Sequence, residues 1–116
     1  MRKFFTLSLI FLICFHLLSC NNNQKIDFNF IYPEDGDYIT KGSLIIIEFS
    51  VIENVNSLSL SVFGEKIKKN LNFEIKENRV YSYFPDDLPD AEYKISTNFY
   101  YNKKYFEKSV DVILNS

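Results

Sequence analysis

One histidine, two cysteines and no tryptophan in 116 residues leave this sequence few ways to do chemistry. From Ile26 onward no apolar stripe of 3.6-residue period continues over a dozen positions, so a helical bundle is excluded. The longest apolar run, Phe4 to Leu18, has 15 residues, short of the roughly 20 that a helix needs to cross a bilayer. There is no internal repeat, and the asparagine-rich stretch Asn21 to Lys25 is the one biased tract. Basic residues are not in excess. Thirteen Lys plus Arg face 15 Asp plus Glu, so nucleic acid is not an expected partner.

What is present begins at the N-terminus. Met1, Arg2 and Lys3 give a positive start, the run from Phe4 is interrupted only by Thr6, Ser8 and a neutral His16, and Leu17-Leu18-Ser19-Cys20 closes it. A charged start, a short apolar centre and a small-residue end are the anatomy of a signal peptide. The closing tetrapeptide resembles the lipobox of bacterial lipoproteins. That resemblance implies cleavage before Cys20, a lipid on its sulfur and membrane attachment. The division expected is 1–19 signal peptide, 20–25 lipidated cysteine and polar tether, and 26–116 one folded domain. Asn21 after the cysteine is compatible, by the same resemblance, with an outer-membrane address.

Cleavage removes Arg2, Lys3, Cys14 and His16, leaving 97 residues with 11 Lys plus Arg against 15 Asp plus Glu, a formal charge of −4. With Cys20 lipidated, no intramolecular disulfide can form. Without histidine or a free thiol, Ser-His-Asp, Cys-His and His-ligated metal sites cannot be built. No enzyme activity, cofactor or metal is expected.

From Ile26 the chain alternates in short apolar bursts, an all-β pattern. Ile26, Phe28 and Phe30 share a face, and Pro33-Glu34-Asp35-Gly36 turns the chain. Tyr38-Ile39-Thr40 is a short extended piece. Leu44 to Val51 is the strongest strand, with Ile45, Ile47, Phe49 and Val51 on one face and Glu48 and Ser50 on the other. Leu58, Leu60 and Val62 alternate next, then Leu71, Phe73 and Ile75. The turn at Glu77-Asn78 leads into Arg79 to Phe84. Pro85 to Asp90 cannot continue a strand, because its prolines lack the ladder donor. Tyr93, Ile95, Thr97 and Phe99 alternate, Asn102-Lys103 turns the chain, and Val110, Val112 and Leu114 face inward.

About seven antiparallel strands, with a turn signal every 8 to 12 residues, predict a single β-sandwich. Leu88-Pro89-Asp90-Ala91-Glu92-Tyr93-Lys94-Ile95 is similar to the corner of immunoglobulin and fibronectin type III domains, and Tyr32-Pro33-Glu34-Asp35-Gly36 resembles the opening of bacterial immunoglobulin-like domains. The resemblance implies that Tyr93 is a corner tyrosine whose hydroxyl bonds back to the preceding loop. The tryptophan and cysteine pair of antibody domains are absent.

Two groups of residues are candidates for a site. Asp86, Asp87, Asp90 and Glu92, with Asp35 and Asp37, are weighed as calcium ligands or an acid/base pair and are expected to be solvated turn carboxylates, since no calcium-loop spacing occurs. The last hairpin, Tyr100, Tyr101, Lys103, Lys104 and Tyr105, reads as a recognition surface for a protein or glycan or as cross-strand pairs flanking a turn. Tyr81 and Tyr83 carry the same pair of readings. The function expected is a non-catalytic binding or display module held at a membrane by its lipid. The alternative is a structural subunit of an envelope complex. Mild-detergent extraction separates them, since only the second should leave the membrane with stoichiometric partners. An up-and-down strand count puts Lys76, Arg79 and the tyrosine hairpin at the tethered, membrane-facing end and the acidic loops at the other.

Overall fold

A computed structural model describes residues 26–116. The expected signal peptide, Cys20 and tether lie outside the described residues. The strands are β1 Phe28–Tyr32, β2 Asp37–Ile39, β3 Leu44–Phe49, β4 Val55–Phe63, β5 Lys68–Asn70, β6 Glu74–Lys76, β7 Arg79–Tyr83, β8 Glu92–Tyr101 and β9 Lys104–Leu114. They form a four-stranded sheet in the order β1-β3-β7-β6 and a five-stranded sheet in the order β2-β9-β8-β4-β5.

Alternation along these strands produces the sandwich directly, because each apolar position on an inner face has a polar or half-exposed neighbour on the outer one. Ile45, Ile47 and Phe49 of β3 meet Ile95, Thr97 and Phe99 of β8, all buried. With no tryptophan available, phenylalanines fill the centre. The Phe99 ring lies 4.8 Å from Phe28, 5.2 Å from Phe49 and 5.4 Å from Phe106, so one ring joins both sheets. Two buried hydroxyls are satisfied by backbone, Thr97 Oγ1 donating to the Ser59 carbonyl at 3.1 Å and Ser82 Oγ to the Asn72 carbonyl at 2.6 Å, and two by side chains, Ser61 Oγ donating to Asn70 Oδ1 at 2.9 Å and Ser96 Oγ to Glu107 Oε1 at 3.4 Å.

The strand count and pairing differ from the sequence-based expectation at three places. Leu71, Phe73 and Ile75 do not share a strand. The chain leaves the five-stranded sheet after Asn70 and joins the four-stranded sheet at Glu74, so Leu71 and Phe73 pack on the core during the crossing and Ile75 is left 53% exposed on an edge. A two-residue period cannot distinguish an alternating strand from a crossing that buries every second side chain. Secondly, β2 pairs with β9 in parallel, because the turn at Pro33 to Gly36 carries the chain from one sheet to the other without reversing it relative to β9. Thirdly, β3 ends at Phe49, and Val51 lies in the following connection.

The connections gather at two poles. At the first, where Ile26 enters, Ser50 N–H donates to the Asp27 carbonyl at 2.8 Å, Phe49 N–H to the Asn78 carbonyl at 2.8 Å, and Val55 pairs with Tyr101. This pole therefore collects the chain entry, the connection 50–54, the Glu77-Asn78 turn and the Asn102-Lys103 turn. The opposite pole holds the loops 40–43, 64–67 and 84–91, and the loop 33–36 crosses between the sheets on the flank that leads to it, where the Gly36 N–H donates to the Asp111 carbonyl at 2.7 Å.

Candidate functional site

At the entry pole, β8 and β9 close through Asn102 and Lys103, both with positive φ, at 51° and 65°. Positive φ at both central residues makes a two-residue turn whose twist matches that of the strands. Tyr100 then pairs with Tyr105 and Tyr101 with Lys104. The Tyr100 and Tyr105 rings, 5.3 Å apart, stand on the outer face and are each 47% exposed. Tyr105 Oη donates to Glu107 at 3.2 Å, and burial first, then Glu107, holds its hydroxyl above the ordinary value. Tyr101 points the other way and packs, half-buried, on the core. Lys103 is exposed at the tip, and Lys104 Nζ lies 5.6 Å from the centre of the Phe106 ring. The hairpin thus presents two tyrosines and two lysines, with the third tyrosine used as structure.

The outer faces of the two sheets differ. On the five-stranded sheet, Ser61, Ser96 and Ser109 form a row across β4, β8 and β9, beside Ser59 and Asn98, whose side chains hydrogen-bond at 2.7 Å. On the four-stranded sheet, Tyr32, Ile46 and Tyr81 form a row across β1, β3 and β7, and Leu44 pairs with Tyr83 beside it. Tyr83 is 66% exposed. Next to Tyr81, Glu48 accepts from Arg79 at 2.8 and 2.9 Å. Glu48, and Tyr81 after it, hold the guanidinium above its ordinary value. These groups, with Glu77 and Asn78, line a depression of about 320 Å³. Tyr81 and Tyr83 were legible in the sequence as candidates, whereas Tyr32, Leu44 and Ile46 were not. The available signal was the unbroken apolar run Leu44 to Ile47, which must place apolar side chains on both faces of its strand.

Four of the six acidic candidates are individually engaged, Asp87 and Asp90 at the opposite pole and Asp35 and Asp37 on the flank that leads to it. Asp35 accepts the Asp111 N–H at 2.7 Å, Asp37 the Glu34 N–H at 2.8 Å, and Asp90 the Ser116 hydroxyl at 2.8 Å. Lys69 donates to both Asp87 oxygens, at 2.5 and 2.6 Å, holding that carboxyl below its ordinary value. Asp86 and Glu92 are exposed. Among the described residues no three His, Cys, Asp or Glu side chains come together as a metal site. Tyr93, also at the opposite pole, donates its hydroxyl to the Pro89 carbonyl four residues back, at 2.5 Å. Its ring stacks edge-on against Phe84 and passes so close to Gly64 that a Cβ there would lie 2.8 Å from it. Burial, and Asp90 after it, push the Tyr93 hydroxyl above its ordinary value.

No protein-family model matches the sequence, and no curated protein sequence matches it. Solved structures do match in shape. An endo-β-1,4-mannanase from Thermotoga petrophila superposes with a TM-score of 0.64 at 16% identity, over 83% of this chain and 21% of the mannanase. An engineered protein gives 0.58 at 10% identity, over 79% of this chain and 20% of that one. The chain therefore spans about a fifth of each of these two proteins. The titin M3 domain gives 0.52 at 11% identity, over 79% of this chain and the whole of that domain. At such identities the likeness is one of architecture, and the described part of the chain has the immunoglobulin-like β-sandwich fold.

Proposed function

We propose that this chain is a bacterial envelope lipoprotein, cut before Cys20 and lipidated on it, whose immunoglobulin-like sandwich is a non-catalytic binding module displayed on a membrane, the outer membrane by preference. The observation that carries this reading is the position of Ile26. It enters the fold at the pole that also presents Lys103, Lys104, Tyr100 and Tyr105. The five residues between Cys20 and Ile26 reach at most about 17 Å when extended. A lipid on Cys20 would hold that pole close to the headgroups, where tyrosine is favoured and lysines are attracted to anionic lipid. The reading is non-catalytic because Asp35, Asp37, Asp87 and Asp90 are committed to closing loops.

Display is favoured over service as a subunit of an envelope complex by the sheet edges. Three of the four edge strands, β2, β5 and β6, have three residues each, and β1 carries a bulge between Phe30 and Tyr32. Short or bulged edges resist strand addition. The test is Cys20→Ala in the producing cell. It should leave an uncleaved precursor and abolish labelling by radioactive fatty acid. Normal-sized, membrane-free protein from that variant would show an ordinary signal peptidase at work and overturn the anchor.

A further inference from the structure

We infer that the outer face of the four-stranded sheet is a binding platform for a neutral glycan chain. This rests on the binding-module reading and names the class of ligand.

Tyr32, Tyr81 and Tyr83 stand on this face over a floor of Leu44 and Ile46. Positions two apart on one strand are about 7 Å apart, and Tyr32 and Tyr81, separated by β3, about 10 Å. The rings therefore form a flat, extended surface rather than a pocket. An apolar small molecule is held by enclosure, with most of its surface covered, and this face offers none. A sugar ring needs no enclosure, because its C–H face rests on an exposed aromatic ring while its hydroxyls find polar groups at the margin. Those groups are present beside Tyr81, where Glu48, Arg79 and Asn78 line the depression. Glu48 and Arg79 neutralise each other at 2.8 Å. Glu77, in the same lining, is left as a single exposed carboxylate, so the margin offers donors and acceptors that suit hydroxyls and disfavours an anionic ligand.

The size of the face disfavours a protein. Four strands about 4.8 Å apart and five residues long at about 3.4 Å each delimit roughly 300 Å², whereas a stable protein interface takes about 800 Å² from each partner. Nor do the margins extend it, since β1 is bulged and β6 is three residues bearing Glu74 and Lys76.

The experiment uses the full-length protein in a zwitterionic detergent free of sugar headgroups. It is run in native gels cast with dextran, hydroxyethyl cellulose or galactomannan. At least one polymer should retard wild type. Tyr83→Ala should weaken that retardation about tenfold, while Tyr83→Phe, which keeps the ring, and the double variant Tyr100→Ala/Tyr105→Ala should run as wild type. Tyr83 is 66% exposed, so its truncation should leave the urea midpoint in place and separate lost binding from lost folding. No retardation by any of the three polymers, or undiminished retardation of Tyr83→Ala, overturns the inference. A photo-crosslinker at position 83 in whole cells distinguishes the failures. Capture of one discrete protein would show that the face serves a protein and that the glycan class is wrong while the binding module stands. Neither glycan binding nor capture would remove both.

Discussion

The two poles of the sandwich are closed by different physics. At the entry pole, two-residue turns at Glu77-Asn78 and Asn102-Lys103 sit over stacked phenylalanines, Phe28, Phe49, Phe99 and Phe106. The longer connection 50–54 at this pole is closed by neutral side chains, Ser50 Oγ accepting from the Asp27 N–H at 3.1 Å and Asn78 Oδ1 from the Ile52 N–H at 3.4 Å. At the opposite pole and along the flank that leads to it, the loops run from four residues to the eight from Phe84 to Ala91. They are held by Asp35, Asp37, Asp87, Asp90 and the Tyr93 hydroxyl. Tight turns leave few backbone groups to satisfy, so apolar packing suffices beneath them. Long loops leave many, and short acidic side chains are ready acceptors for them. Carboxylates that look like a site in the sequence therefore hold loops together at one pole and on its flank. The exposed rings of the four-stranded face are free of such duty.

Three perturbations bear on this contrast. The largest effect is expected from Phe99→Ala, which should lower stability by about 3–5 kcal/mol. Because one buried cluster with members from both sheets remains, among them Ile45, Ile47, Ile95 and Val112, the variant should still unfold in one transition, read as coincident urea curves by circular dichroism and tyrosine fluorescence. Separate transitions would mean that Phe99 alone couples the two sheets. An intermediate effect is expected from Tyr93→Phe at the other pole. Losing one hydrogen bond and leaving the Pro89 carbonyl unpaired should cost about 1 kcal/mol, and an unchanged denaturation midpoint would show that the corner bond contributes nothing.

The same variant should show in alkali. A hydroxyl whose folded pKa is raised contributes stability below the unfolded tyrosine value, and that contribution is lost as pH rises from about 10 through the folded value. Tyr93→Phe should flatten this part of the stability curve. The smallest effect belongs to Lys69→Ala. The Asp87 carboxyl, lowered by Lys69, contributes stability above the ordinary carboxylate value that is lost as pH falls below about 4. Since the pair is exposed, the variant should be nearly silent at neutral pH and differ only in the slope of the acid limb. A large neutral-pH loss would show that the opposite pole depends on this ion pair more than on its hydroxyl.

Much of the fold is legible in the sequence. Alternation at Ile45-Ile47-Phe49, Tyr93-Ile95-Thr97-Phe99 and Val110-Val112-Leu114 identifies inner faces, and Asn102-Lys103 and Glu77-Asn78 mark two tight turns, because side-chain period and turn chemistry are local properties. The role of Tyr101 is not legible there. It adjoins Tyr100 in sequence but lies on the opposite side of its strand, so a cluster of letters is not a cluster of rings. The same limit hides the row of Tyr32, Ile46 and Tyr81, whose members come from three strands and meet only through register.

The sequence by itself determined that the domain is all-β, which side chains of the long strands turn inward, and that neither a disulfide nor histidine chemistry is open to the described chain. Those are matters of residue type and period. Tertiary structure alone decided that Leu71 to Phe73 crosses between sheets, that β2 runs parallel to β9, and that three tyrosines share an outer face with an ion pair beside it. These depend on which strand lies beside which. Pairing between distant segments is chosen by burial of the whole core, and no local pattern encodes it.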